Sequence, residues 1–129
     1  MIDLHLHTTA SDGRLTPAEL VARAAEAGLR AIAVTDHDTT ASVAEVQTLA
    51  LARGIDAFSG IEITAIDAGR DLHILGYFLD PAHVGLSAFL VRQRQARVAR
   101  AEAIGVRLAA LGVPIDMAPL LAEAQQQVG

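Results

Sequence analysis

Six side chains in this sequence could hold metal ions, and the first two stand almost at its start. Asp3-Leu4-His5-Leu6-His7 sets an acid and two histidines at alternate positions. In a strand, residues two apart share a face. His5 and His7 would then point the same way from one strand end, close enough to share a metal. Neutral imidazoles are ligands for zinc, manganese or iron. Asp3, on the same face, could orient a histidine through a hydrogen bond. One histidine in a strand is ordinary, whereas two with an acid at period two is the most specific signal in the chain.

Four further positions join it. Asp36-His37-Asp38 follows the apolar run 31–34, and ligand-binding groups in α/β folds gather at the C-terminal ends of parallel strands. His37 is favoured as a ligand, with Asp36 and Asp38 as supports; the alternative is a polar cap on the next helix, from Asp38 or Thr39. Glu62 lies between Ile61 and Ile63, and an acid inside a strand is costly unless paired or metal-bound. A carboxylate can also bridge two ions, as an imidazole cannot. Taken alone, an edge strand with Glu62 facing solvent is the stronger reading. His73, between Leu72 and Ile74, is a ligand candidate or a hydrogen-bonded core histidine. Asp12, in Ser11-Asp12-Gly13, is ordinary turn chemistry that only the histidines promote. His83 reads as a surface residue.

The elements that must carry these groups follow from hydrophobic pattern and punctuation. Alternation over 2–7 predicts a strand. Thr16-Pro17-Ala18-Glu19 is a capping box with proline at the first helical position, and Gly28 should end that helix. Residues 31–34 form a short apolar strand. A helix capped by Thr39 or Thr40 is predicted to about Arg53. A third strand spans 55–63, broken by Ser59-Gly60; a fourth spans 72–78, with Gly69 in the turn between. A long helix covers 86–111 and a last short one 117–126. Strands alternating with helices predict a mostly parallel α/β sheet or barrel.

Composition narrows the chemistry. The 129 residues are 52% apolar and only 3% aromatic, enough for a core of Ala, Leu, Val and Ile. The net charge of -5 excludes a broad basic surface for nucleic acid, and no extended DNA-binding surface is expected. A phosphate substrate remains open, because bound metal can supply local positive charge. No cysteine is present, which rules out thiolate sites and thiol nucleophiles. No basic region or signal-length apolar run opens the sequence, and no stretch is long enough to span a bilayer, so a cytoplasmic location is expected. All ten basic residues are Arg. Of these, Arg94, Arg97 and Arg100 share a face of the long helix, ordinarily a solvated one; Arg92 or Arg94 could instead bind phosphate.

The segments Asp-Leu-His-Leu-His-Thr-Thr-Ala-Ser-Asp-Gly (3–13), Thr-Asp-His-Asp (35–38), Gly-Ile-Glu-Ile-Thr (60–64) and His-Ile-Leu-Gly-Tyr-Phe (73–78) together resemble the PHP (polymerase and histidinol phosphatase) family. Within it, they are most similar to the TrpH-type phosphoesterases, a group that includes nucleotide phosphatases and a 5′-to-3′ RNA exonuclease. The resemblance implies a distorted seven-stranded (β/α) barrel with metals at the C-terminal strand ends. It implies that His5 and His7 hold one metal, that Glu62 bridges it to a second, that His73 helps bind the second, and that Asp12 and His37 belong to a third position. Asp12, His37 and Glu62 thereby become the catalytic candidates; Arg92 and Arg94 stand as substrate-binding candidates on guanidinium chemistry alone. The implied reaction is hydrolysis of a phosphoester of a nucleotide or short RNA by a metal-bound hydroxide, with two or three divalent ions: manganese, zinc or iron, and magnesium less readily.

Members of that group are about twice as long, and their second half brings another metal-binding His and a late Asp-x-His pair. Here no His follows His83, and Asp116 is the sole late Asp. The expectation is a PHP domain over 1–129, truncated at its C-terminus, with an unclosed barrel whose exposed edge would encourage homo-oligomers. Two other classes compete. Amidohydrolase-like enzymes also open with His-x-His, but many of them bridge their metals with Lys, and this chain has none. A non-catalytic PHP remnant, acting as a structural or interaction module, would need no metal.

Overall fold

A computed structural model describes residues 1–126, and the side chains of residues 1–122. Residues 127–129 of the expected 1–129 domain lie outside the described residues. The chain divides into two units, Met1–His83 and Val84–Gly129.

The first unit holds β1 (Ile2–Leu6), α1 (Pro17–Glu26), β2 (Ala31–Val34), α2 (Val43–Leu51), β3 (Asp56–Asp67) and β4 (Arg70–Tyr77). They form one sheet in the order β1-β2-β3-β4. The first two pairings are parallel and the third antiparallel, so the predicted mostly parallel sheet turns back at its last strand. All four residues of β2 are buried, as a central strand covered on both faces requires. Ile32 and Val34 pack with Leu20, Val21 and Ala24 of α1 and with Val43, Val46 and Ala50 of α2. Fully burying each of the larger aliphatics contributes about 1.5–3 kcal/mol.

The predicted capping box forms: Thr16 N–H donates to Glu19 Oε2 at 2.9 Å, and Glu19 N–H donates to Thr16 Oγ1 at 3.3 Å. The backbone and side-chain hydrogen bonds from Thr16 hold the Glu19 carboxyl below its ordinary value, against a small opposing effect of burial. A carboxyl whose pKa falls on folding stabilises the fold above its unfolded value, about 4.3, and that contribution is lost as pH drops through the folded value. Glu19→Ala should therefore lower the melting temperature at pH 7, and the gap to wild type should narrow as pH falls through the folded value; a gap that stays constant in thermal melts would remove the carboxylate from the cap.

Several predicted boundaries move. α2 starts at Val43 rather than just after Thr39 or Thr40, and its N-cap, Ser42, makes no side-chain capping bond. The Ser42 hydroxyl donates instead to the Asp36 carboxylate. β3 is not broken at Ser59-Gly60; it changes partner there. It pairs with β2 as far as Ser59 and with β4 from Gly60 onward. A Cβ at Gly60 would lie 2.7 Å from both Thr35 Cγ2 and the Val34 carbonyl oxygen, so glycine allows the backbones to approach at the changeover. β3 and β4 extend to a two-residue turn, Ala68-Gly69, with φ of 48° and 78°, the doubly left-handed geometry of a tight hairpin.

The sheet curls. The Tyr77 hydroxyl of β4 donates to the Leu4 carbonyl of β1 at 2.9 Å, joining the first and last strands of the row.

The second unit contains α3 (Val84–Ala110) and α4 (Met117–Gln126). Gly112, with φ of 79°, ends α3, and Val113 N–H donates to the Leu108 carbonyl at 3.0 Å, as in a glycine-terminated helix. Asp116 accepts from Ala118 N–H at 3.0 Å, so the late Asp caps α4. Among the described residues, no helix is long and apolar enough to cross a membrane.

Candidate metal centre

The ends of β1 and β2, the middle of β3 and the hairpin strand β4 bring the candidate ligands together. His5 lies on β1 and His7 just past it. His37 follows β2, and a parallel backbone bridge pairs it with Glu62 of β3. Asp38 N–H donates to the Glu62 carbonyl at 2.9 Å, and Glu62 N–H donates to the Asp36 carbonyl at 3.2 Å. On β4, His73 faces Thr64. Residues opposed across an antiparallel pair share a face, so His73 lies on the face of Glu62, two pairs further along.

Glu62 is the hub. It is only 2% exposed, which rules out the edge-strand alternative. His5 Nε2 lies 3.0 Å and His7 Nε2 3.1 Å from Glu62 Oε2. His37 Nε2 lies 3.6 Å from the same oxygen. His73 Nδ1 lies 2.7 Å from Oε1. Asp12 joins from the loop 8–15: its Oδ1 is 3.3 Å from His7 Nδ1 and its Oδ2 3.7 Å from His37 Nε2. His73 is half exposed, so the core-histidine alternative fails. Burial pushes the Glu62 carboxyl up, but the hydrogen bond with His5 and the charges of His37, His5 and His73 outweigh it and hold the group below its ordinary value.

The donor set fits divalent ions. Three groups each bring their ligand atoms within 4.8 Å of one another: His5, His7 and Glu62; His7, Asp12 and His37; His37, Glu62 and His73. Buried imidazole nitrogens normally have hydrogen-bond partners, yet His7 Nδ1 and His37 Nδ1 are buried without one. The approach of His7 Nδ1 to Asp12 is an ion-pair distance without hydrogen-bond geometry. Nitrogen and oxygen donors alone, in groups of three, suit divalent metal ions.

All six sequence-predicted ligands thus meet in the first unit. Arg92 and Arg94 lie on α3, in the second. Asp3 departs from its expected role: its carboxylate accepts from the His5 backbone N–H at 3.1 Å rather than from an imidazole. Asp38 supports Glu62's strand, accepting from Thr64 N–H at 3.1 Å. Sequence reasoning overlooked Thr8 and Ser42, whose hydroxyls are buried against Asp36. Small hydroxyl residues beside a polar motif are too common to signal this.

Known proteins resemble this chain over most of its length. The family model of the PHP domain matches residues 3–126. A 5′-3′ exoribonuclease of Haemophilus influenzae is 42% identical over 125 residues, covering 95% of this chain and 46% of its own length. A 3′,5′-nucleoside bisphosphate phosphatase of Chromobacterium violaceum is 41% identical over 112 residues, covering 87% of this chain and 39% of its own. A metal-dependent phosphoesterase structure from Bifidobacterium adolescentis superposes with a TM-score of 0.80 at 36% identity, over 95% of this chain and 43% of that one. The chain spans less than half the length of each of these relatives. The curled four-stranded sheet is accordingly part of a (β/α) barrel of this type, and the chain belongs to the PHP domain family.

Proposed function

We propose that this chain carries the N-terminal metal-binding portion of a phosphoesterase that hydrolyses phosphoester bonds of nucleotides or short RNA. The observation that carries the reading is the convergence of four imidazoles and Asp12 around Glu62, with two buried imidazole nitrogens lacking partners. His5, His7 and Glu62 would hold one ion; Glu62 and His73 a second; Asp12 and His37 a third. Manganese, zinc or iron suits these donors better than magnesium. Such ions supply positive charge to phosphoryl oxygens and lower the pKa of water at neutral pH. The residues supply the frame. Glu62 spends one carboxylate on two positions, and its burial keeps bulk water from competing. Asp12 and His37 border the positions from a side open to solvent through Asp12, where a phosphate could enter. Arg92 and Arg94 are proposed for the substrate's phosphate on the chemistry of guanidinium alone.

Names of the relatives favour RNA 5′ ends and bisphosphorylated nucleotides as the substrate class. Self-association through β1 and β4, each paired on one side in the sheet, and a cytoplasmic location belong to the same proposal. Absence of Lys weighs against the amidohydrolase-like reading, which a Chromobacterium violaceum structure described as an amidohydrolase, 40% identical over 88% of this chain, keeps as an alternative. A second reading is a non-catalytic PHP module with a structural or interaction role, which would need no metal.

Elemental analysis of the purified chain, paired with a manganese-supplemented phosphatase assay, tests both. Metal with turnover supports the first reading, metal without turnover keeps its metal site and removes its hydrolysis, and neither metal nor turnover supports the second. His7→Ala removes a donor from two of the three groups. It should cost more than the roughly 10–100-fold in affinity that loss of a supporting group costs. Full metal content in that variant, measured by calorimetric titration, would take His7 out of the site.

A further inference from the structure

We propose that Asp36 is a positioning residue: it fixes the loop that presents Asp12, and it is not itself a ligand. The inference rests on the metal-binding reading above.

Asp36 is 1% exposed. Its Oδ1 accepts from Thr8 N–H and from the Ser11 hydroxyl, each at 2.7 Å. Its Oδ2 accepts from the Thr8 hydroxyl at 2.7 Å and from the Ser42 hydroxyl. A carboxylate offers about four acceptor sites, so these four donors use all of them and leave none for a cation. Asp36 also belongs to none of the three groups whose ligand atoms converge.

The bonds fall where Asp12 needs them. Asp12's carboxylate is 70% exposed, so packing does not set its direction; the backbone of its loop must. That loop is wound around Thr8. The Thr8 carbonyl accepts from Ser11 N–H at 3.1 Å and from Gly13 N–H at 2.9 Å, and the Thr8 hydroxyl accepts from Ala10 N–H at 3.1 Å. Thr8, fully buried, is held through both its backbone and its hydroxyl by Asp36. Ser11, held by the same carboxylate, is Asp12's neighbour, and its hydroxyl lies 3.4 Å from Asp12 Oδ1. Ser42 ties the assembly to the start of α2. One carboxylate therefore joins the end of β2, the head of α2 and the loop bearing Asp12, while its own backbone carbonyl accepts from Glu62 N–H.

Two measurements on the full chain test this. The first is free of metal: trypsin cleavage after Arg14, an exposed residue at the end of that loop, in excess chelator. Asp36→Asn keeps the shape and removes the charge from four hydrogen bonds. Cleavage after Arg14 should rise by about tenfold or more, the equivalent of one charge-assisted bond, while cleavage after Arg23, inside α1, stays unchanged. The second is manganese titration of wild type, Asp36→Asn, Asp12→Asn and the double variant. Asp36→Asn should lose the same binding event as Asp12→Asn, and the double variant should be no worse than Asp12→Asn alone. If the two losses multiply, or if Asp36→Asn cleaves and binds like wild type, the proposal fails. Should Asp36→Asn not fold, Ser11→Ala removes one donor and should move both readouts in the same direction; wild-type behaviour there would overturn the proposal. A wild-type chain that binds no manganese would overturn the metal reading, and the Arg14 cleavage would still decide whether Asp36 anchors the loop.

Discussion

Glu62→Gln lowers the chain's affinity for manganese by more than about 100-fold, beyond the range for loss of a supporting group, and leaves the far-ultraviolet circular dichroism unchanged. The substitution keeps size and shape, so the β3 ladder on both sides of residue 62 is preserved. It removes the negative charge on which His5, His7, His37 and His73 converge, and an amide cannot bridge two cations as a carboxylate can. Glu62 belongs to two of the three donor groups, whereas His73 belongs to one. His73→Ala should therefore cost less affinity than Glu62→Gln in the same calorimetric titration. Equal affinities for wild type and Glu62→Gln would mean that the buried acid only neutralises its histidines.

Gly13→Ala should be nearly as damaging although it removes no donor. A Cβ at residue 13 would lie 2.4 Å from both the carbonyl carbon and the carbonyl oxygen of His7, and 2.6 Å from Thr8 N. These are backbone atoms of the ligand His7 and of its neighbour Thr8, and no rotamer change relieves them. The loop must lift from β1, taking Asp12 away from His7 and His37. Steric insertion of this kind costs about 1–3 kcal/mol, which urea denaturation would register as a lower midpoint. Manganese titration should show loss of the event that Asp12→Asn also loses. Wild-type stability and binding would show that the loop sits elsewhere in solution. Turn chemistry alone gives Gly13 a role any flexible loop would share; the close approach to His7 makes glycine a requirement of space rather than of dihedral angle.

The contrast between Gly13 and His5 shows what was legible in the sequence. Alternation placed His5 on a strand because side-chain direction in a strand depends only on local period. The capping box at Thr16 and the turn at Gly69 were equally local, and both form. Glu62 was half legible. Its apolar neighbours marked it as costly, but its burial depends on β2, β4 and four histidines distant in sequence. The partner change at Gly60 was read as a break, because a glycine that ends a strand and one that admits a close backbone look alike without the third dimension. Ser42 was missed for the opposite reason: its local capping propensity is real, but a buried carboxylate six residues earlier outbids the helix for its hydroxyl. Asp3 kept to the strand's own backbone, a short-range bond that period-two reasoning does not weigh.

The cluster draws its donors from residue 5 at one end to residue 73 at the other, in a chain with no cysteine. Topologically, it closes a long loop in the way a disulfide would, and closure entropy grows with the length enclosed. A cation that grips only the native arrangement stabilises it by mass action, and so acts as a removable cross-link. Chelation would then do for this chain what reduction does for a secreted one: release its first strand from its fourth and hand back to the unfolded ensemble the freedom that the closed loop denied it.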